Sequence, residues 1–184
     1  DLERNRIGNE GASRLAGSLG NNGLPNRTNL SLYDFGIGDD GFIALVSALE
    51  QNTSLLQLAL CYNCHVSERA FLAMAEMLPE IKMLKRLSLT WCPGLASAMP
   101  LLMAGLRKNI SLFRIHVTNC APSSGPPTPE ETSRCAGGWI QEMERLGYRN
   151  RFLSLLRAPK ERLPPRDGIW PHALARVVML PDVI

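Results

Sequence analysis

No run of eighteen apolar residues occurs in the chain, so no segment is predicted to cross a membrane as a helix. Clustered lysine and arginine are also missing, and the net charge is only +3. A nucleic acid held by bulk electrostatics is therefore not expected as a partner. No secretory leader is visible, and the chain opens on Asp1 instead of Met, which reads as a fragment or a processed form. A Gly-rich phosphate loop, His-Glu-x-x-His and Gly-x-Ser-x-Gly are all absent, which removes the usual sequence support for phosphate, zinc-protease and serine-hydrolase chemistry. The three histidines, His65, His116 and His172, are scattered. An enzyme is not expected, and no cofactor is.

What is present is ordinary for a globular protein: 184 residues, 45% hydrophobic and 20% charged. That length suffices for one compact domain or a short repeat array. Five cysteines make an odd set, and a chain of this size buries a core without bridges. Reduced thiols and a cytoplasmic setting are expected. The sequons that begin at Asn26, Asn29, Asn52 and Asn109 pull the other way, towards secretion.

One short stretch, "CYNCH" at 61–65, fits Cys-x-x-Cys-His, the pattern of covalent haem attachment. Zinc is the other chemistry it suggests, but Cys61, Cys64 and His65 lack a fourth ligand and no second Cys-x-x-Cys exists. Cys61 and His116 as a nucleophile pair would sit two strands apart, beyond hydrogen-bond reach.

Self-similarity explains the stretch better. "LLQLALCYN" (55–63) aligns with "LKRLSLTWC" (84–92) and "LFRIHVTNC" (112–120), each reading L-x-x-L-x-L-x-x-N/C. "RTNLSLYDF" (27–35) fits with Arg27 and Phe35 as deviations, and "LERN" (2–5) ends an earlier copy. The closing residues Asn5, Phe35, Asn63, Cys92 and Cys120 recur at intervals of 30, 28, 29 and 28. "IGNEGASRLAGSL" (7–19) matches "IGDDGFIALVSAL" (37–49), and 67–78 and 94–106 continue the theme. Ile43, Leu45, Val46 and Leu49 are near helical spacing, and Asp39 stands where a helix start favours an acid. Each unit is predicted to be a short strand, a turn and a helix. Alternation sends Leu58 and Leu60 inward and Ala59 to the opposite face. Asn63 is expected to serve the buried backbone of the turn, with Cys92 and Cys120 filling the same slot.

These units resemble leucine-rich repeats of the ribonuclease-inhibitor type over roughly residues 1–120. The resemblance implies an α/β fold: a right-handed α/β solenoid, a horseshoe segment with short parallel strands on the concave face and helices outside. Arg27, Phe35 and two residues inserted near Gly23–Pro25 depart from the pattern. "NTSL" and "NISL" are segments this repeat class carries between helix and strand, which weakens the sequon argument.

The array is expected to span 1–148, about five repeats with the first incomplete and a Pro-rich loop at 121–133 in the last. A final helix is predicted over 136–148, with Trp139, Ile140, Met143 and Leu146 on its apolar face. Residues 149–184 then read as a helical cap over the exposed end of the core. The tail from Gly168 is similar to those of leucine-rich-repeat proteins of diatoms and related algae, and "PDVI" reads as the first turn of a continuing helix.

Strand position arranges the surface residues into rows. Asn29, Gln57, Arg86 and Arg114 form one row, and Ser31, Ala59, Ser88 and His116 the next. Tyr33, Cys61, Thr90 and Thr118 follow, then Asp34, Tyr62, Trp91 and Asn119. With strands about 4.8 Å apart, Tyr62 and Trp91 become neighbours, as do Arg86 and Arg114. Aromatics and arginines together are the residue types of protein interfaces. The expected partner-binding face comprises Tyr33, Asp34, Gln57, Tyr62, Arg86, Trp91, Arg114, His116 and Asn119. The expected function is a non-enzymatic protein-interaction module, a monomer or weak oligomer that touches neither nucleic acid nor membrane. The resemblance also implies two alternatives: a GTPase-activating regulator of a small GTPase, or a sensor domain of a receptor-like protein.

Overall fold

The computed structural model describes residues 7–20, 28–92, 94–117, 141–151 and 153–154. Four helices alternate with four three-residue strands. In chain order these are α1 (Gly8–Gly20), β1 (Asn29–Ser31), α2 (Asp39–Gln51), β2 (Gln57–Ala59), α3 (Glu68–Met77), β3 (Arg86–Ser88), α4 (Leu95–Lys108) and β4 (Arg114–His116). A 3-10 turn, Leu78–Glu80, follows α3. Residues 141–151 are also helical and run across the expected boundary at 148. Residues 152 and 155–184 of the expected cap and the Pro-rich loop at 121–133 lie outside the described residues, as do Trp139, Ile140 and Cys120.

The strands form one parallel sheet in the order β1-β2-β3-β4. The residues aligned in sequence are paired in space: Leu30 with Leu58, Leu58 with Leu87, and Leu87 with Ile115. This is a mixed α/β architecture in which each crossover between parallel strands contains a helix.

Leu58 and Leu60 are 2% and 0% exposed, as alternation requires. Leu55, Leu84, Leu87, Leu89 and Leu112 are buried with them. Helix α2 contributes Phe42, Leu45, Val46 and Leu49 to the same core. Ile43, expected on that face, is only half-buried and Phe42 takes its place. Phe42 meets Phe71 of α3 edge to face at 5.0 Å between centroids, a geometry that adds about 1 kcal/mol beyond burial. Helix α4 packs against α3 so closely that a Cβ on Gly105 would fall 2.2 Å from the Ala75 carbonyl oxygen.

After β2 an asparagine side chain serves the turn that ends the strand. Asn63 is fully buried. Its Oδ1 accepts from the Phe35 and Ile37 amides at 3.2 and 3.1 Å. Its Nδ2 donates to the carbonyls of Leu32, Leu60 and Cys61. One side chain thus satisfies the turn of its own unit and that of the preceding one. Cys92 fills the same slot with its Sγ 3.4 Å from the Leu60 oxygen, a weaker donor in place of an amide.

A second asparagine series was not legible in the sequence. Asn52 donates to the Leu19 carbonyl, and its Oδ1 accepts from the Ser54 and Leu55 amides. Asn109 donates to Leu78 and Ile81 and accepts from Ser111 and Leu112. Asn150 continues the series by donating to the Asn109 and Leu112 carbonyls. Asn52 and Asn109 head two of the sequons, and their side chains are committed to this work.

Asp39 begins α2, but its carboxylate serves the next helix. It accepts from the Ser67 amide and hydroxyl, both at 2.6 Å, and from Arg69 Nε at 3.2 Å. Asn9, at the equivalent place one unit earlier, accepts from the Gly38 and Gly41 amides of α2. Partial burial works to raise the Asp39 carboxyl pKa, and the hydrogen bonds from Ser67 and Arg69 outweigh it, leaving the pKa below its ordinary value.

Candidate functional site

The exposed side of the sheet brings the predicted rows together. Register places Asn29, Gln57, Arg86 and Arg114 side by side, and Ser31, Ala59, Ser88 and His116 beside them. Arg86 reaches Gln57 Oε1 at 3.5 Å. Arg114 and His116 lie exposed on β4.

Beyond the strands the three aromatic side chains form a line. Tyr62 and Trp91 stack at 5.5 Å with 28° between planes. Tyr33 joins them at 4.5 Å from Tyr62, tilted by 39°. The sequence rows put Tyr33 beside Cys61, one position away from this partner. The turn supplies the reason for the difference. Asp34, Tyr62 and Trp91 all have left-handed backbone, with φ of 52°, 62° and 58°, and this rotates each side chain away from its strand-like direction.

That conformation costs an ordinary residue roughly 1–2 kcal/mol. Glycine or asparagine would make the turn with less strain. Each ring pair contributes only about 0.5–1.5 kcal/mol. Beyond the area it buries, the stack therefore barely offsets the strain of mounting Tyr62 and Trp91 there. Trp91 is also 37% exposed.

The "CYNCH" residues diverge in space. Asn63 is buried, Cys61 half-buried, and Cys64 and His65 exposed in the following turn. His65 pairs through its backbone with Gly38. Among the described residues no group of three His, Cys, Asp or Glu side chains is placed to hold a metal ion. No described helix is long and apolar enough to cross a membrane. Asn119 lies outside the described residues.

Sequence reasoning missed the far end of the sheet. A cavity of about 730 Å³ opens between β4 and the helix at 141–151, lined by Phe113, Ile115, Val117, Met143 and Tyr148, with arginines at its rim. Met143 and Leu146 are buried as the apolar face predicts. Just before β3 and β4, Lys85 Nζ lies 5.0 Å over the Phe113 ring, and burial lowers the Lys85 pKa. The periodicity of the last helix was the available signal, but it could not say which strand the helix faces.

No family model matches the chain, and no curated protein does. Among solved structures, leiomodin-1 actin-binding site 2 is similar, with a TM-score of 0.53 and 17% identity over 78% of this chain and 91% of that one. At that identity the likeness describes the fold alone.

Proposed function

We propose that this chain is a leucine-rich-repeat α/β solenoid of the ribonuclease-inhibitor type that acts, without catalysis, by binding a partner protein through its strand face. The observation that carries the reading is the line Tyr33–Tyr62–Trp91, two of whose rings stand on strained turn positions. Strain retained for so little stability is characteristic of functional surfaces. The exposed Trp91 ring, the half-buried Tyr33 and Tyr62, and the exposed Arg86 and Arg114 of the strands supply the anchor types of protein interfaces. The 28–29-residue spacing of paired strands supports the solenoid. That the similar leiomodin-1 structure is an actin-binding site adds support for a protein partner. Affinity capture from native lysate with the unaltered chain, Trp91→Ala and Arg114→Glu tests the proposal. The expected result is a partner lost from both variants, and equal recovery by all three overturns it.

A further inference from the structure

We propose that the outer edge of β4 binds an extended acidic segment of the partner as an added strand. This rests on the protein-binding reading above and names the chemistry that the partner presents.

The first ground is the backbone. β4 pairs with β3 alone among the described residues. The Arg114 amide donates to the Lys85 carbonyl, and the His116 carbonyl accepts from the Leu89 amide, at 3.1 and 2.8 Å. In a parallel ladder alternate residues face alternate neighbours. The N–H and C=O of Ile115 therefore point away from β3, as an edge strand presents them. A docked strand completes these bonds.

The second ground is the space. The cavity at this edge has a volume of about 730 Å³, within the ~300–1,000 Å³ span of ligand clefts. The helix at 141–151 forms its other wall. At one end the wall touches the strand: a Cβ on Gly147 would lie 2.2 Å from the Phe113 carbonyl oxygen. From there the groove opens along Ile115 and Val117.

The third ground is charge. Among the described residues, Arg86, Arg114 and Arg151 line the groove together with one acid, Glu144. All three arginines are exposed. The ion pairs of the described residues, such as Arg107 with Glu142, involve none of them. An incoming carboxylate meets three guanidinium groups that no described acid pairs, each suited to bidentate bonding. Because a strand presents alternate residues to opposite sides, the matching sequence alternates apolar and acidic residues. Its apolar side chains meet Ile115, Val117 and Met143, and its acids meet the arginines.

The probe is a fluorescein-labelled heptapeptide of alternating Val and Glu with blocked ends, titrated with the full chain and followed by anisotropy. Saturable binding is expected, weakened about tenfold or more by Arg151→Glu and weakened by about 0.5 M salt. The peptide with Lys in place of Glu, and the peptide N-methylated at alternate amides, should not bind. Equal binding of either control, or of a ten-nucleotide oligothymidylate, overturns the proposal. So does an absence of binding, including the case where slow hydrogen exchange at the Ile115 amide shows the chain's own residues already on this edge. Arg151 is exposed, and a circular dichroism spectrum verifies that the variant is folded. Trp91→Ala should leave peptide binding intact. Partner capture that is sensitive to Trp91 but paired with no peptide binding sinks the groove and leaves the strand face standing. Peptide binding with capture indifferent to Trp91 does the reverse.

Discussion

Tyr62 and Trp91 stack at 5.5 Å, and both do so from left-handed backbone. The two facts oppose one another energetically, which makes Trp91 a site where stability and the proposed binding are expected to separate. Trp91→Gly removes the ring but relieves strain of roughly 1–2 kcal/mol. Thermal unfolding of this variant should differ from the parent by less than about 1 kcal/mol, while partner capture falls at least about tenfold. A large loss of stability would show that the stack is chiefly structural.

Asn63→Ala should be far more damaging. It leaves the buried amides of Phe35 and Ile37 without their side-chain acceptor and takes the Nδ2 donor from the Leu32, Leu60 and Cys61 carbonyls, of which Leu60 keeps Cys92 Sγ and Cys61 keeps the Asp34 amide. At about 1–3 kcal/mol for a buried group left unpaired, the expected loss is roughly 3–5 kcal/mol. Urea unfolding monitored by tryptophan fluorescence measures it, and a loss under about 1 kcal/mol would refute the role given to this side chain.

Asp39→Ala should lower stability in a pH-dependent way. The folded carboxyl has a depressed pKa, so its contribution is present above the unfolded value near 3.8 and is lost as pH falls through the folded value. The difference between parent and variant should hold steady from pH 7 down to about pH 5. It should then shrink below about pH 4. A difference that grows on acidification would contradict the geometry around Ser67 and Arg69.

If the chain is passed through a secretory pathway, the folded product should carry no glycan at Asn52 or Asn109. The Nδ2 atom that a glycan would occupy is buried and donates to Leu19 in one case and to Leu78 and Ile81 in the other. Peptide mapping by mass spectrometry reads this directly. A glycan at either position on folded protein would mean that these turns open.

The strand register was legible because leucine at fixed spacing reports which face a residue takes, and one face is buried. Asn63 was legible because a buried turn must satisfy its backbone. The neighbours Arg86–Arg114 and Tyr62–Trp91 followed from register alone. Tyr33 does lie opposite Cys61 along the backbone, but its ring contact with Tyr62 was not legible because left-handed backbone at Tyr62 leaves no mark in an aromatic's identity. Asp39 was read as a local helix start, since sequence shows residues adjacent along the chain and not the Ser67 amide 28 residues away. Asn150 follows a long Pro-rich segment that disrupts the spacing, which hid its kinship with Asn109.

The bonds made by Asn63 and Asp39 reach 26 to 31 residues along the chain. For a polypeptide leaving the ribosome this imposes a delay. The turn at Phe35–Ile37 waits unsatisfied until Asn63 has emerged, and the Asp39 carboxylate waits for Ser67. At synthesis rates of about 5–20 residues per second, each unit spends on the order of seconds half-finished. A nascent chain of this type matures one unit behind its own synthesis, and a stall between Phe35 and Asn63 would hold its newest turn open.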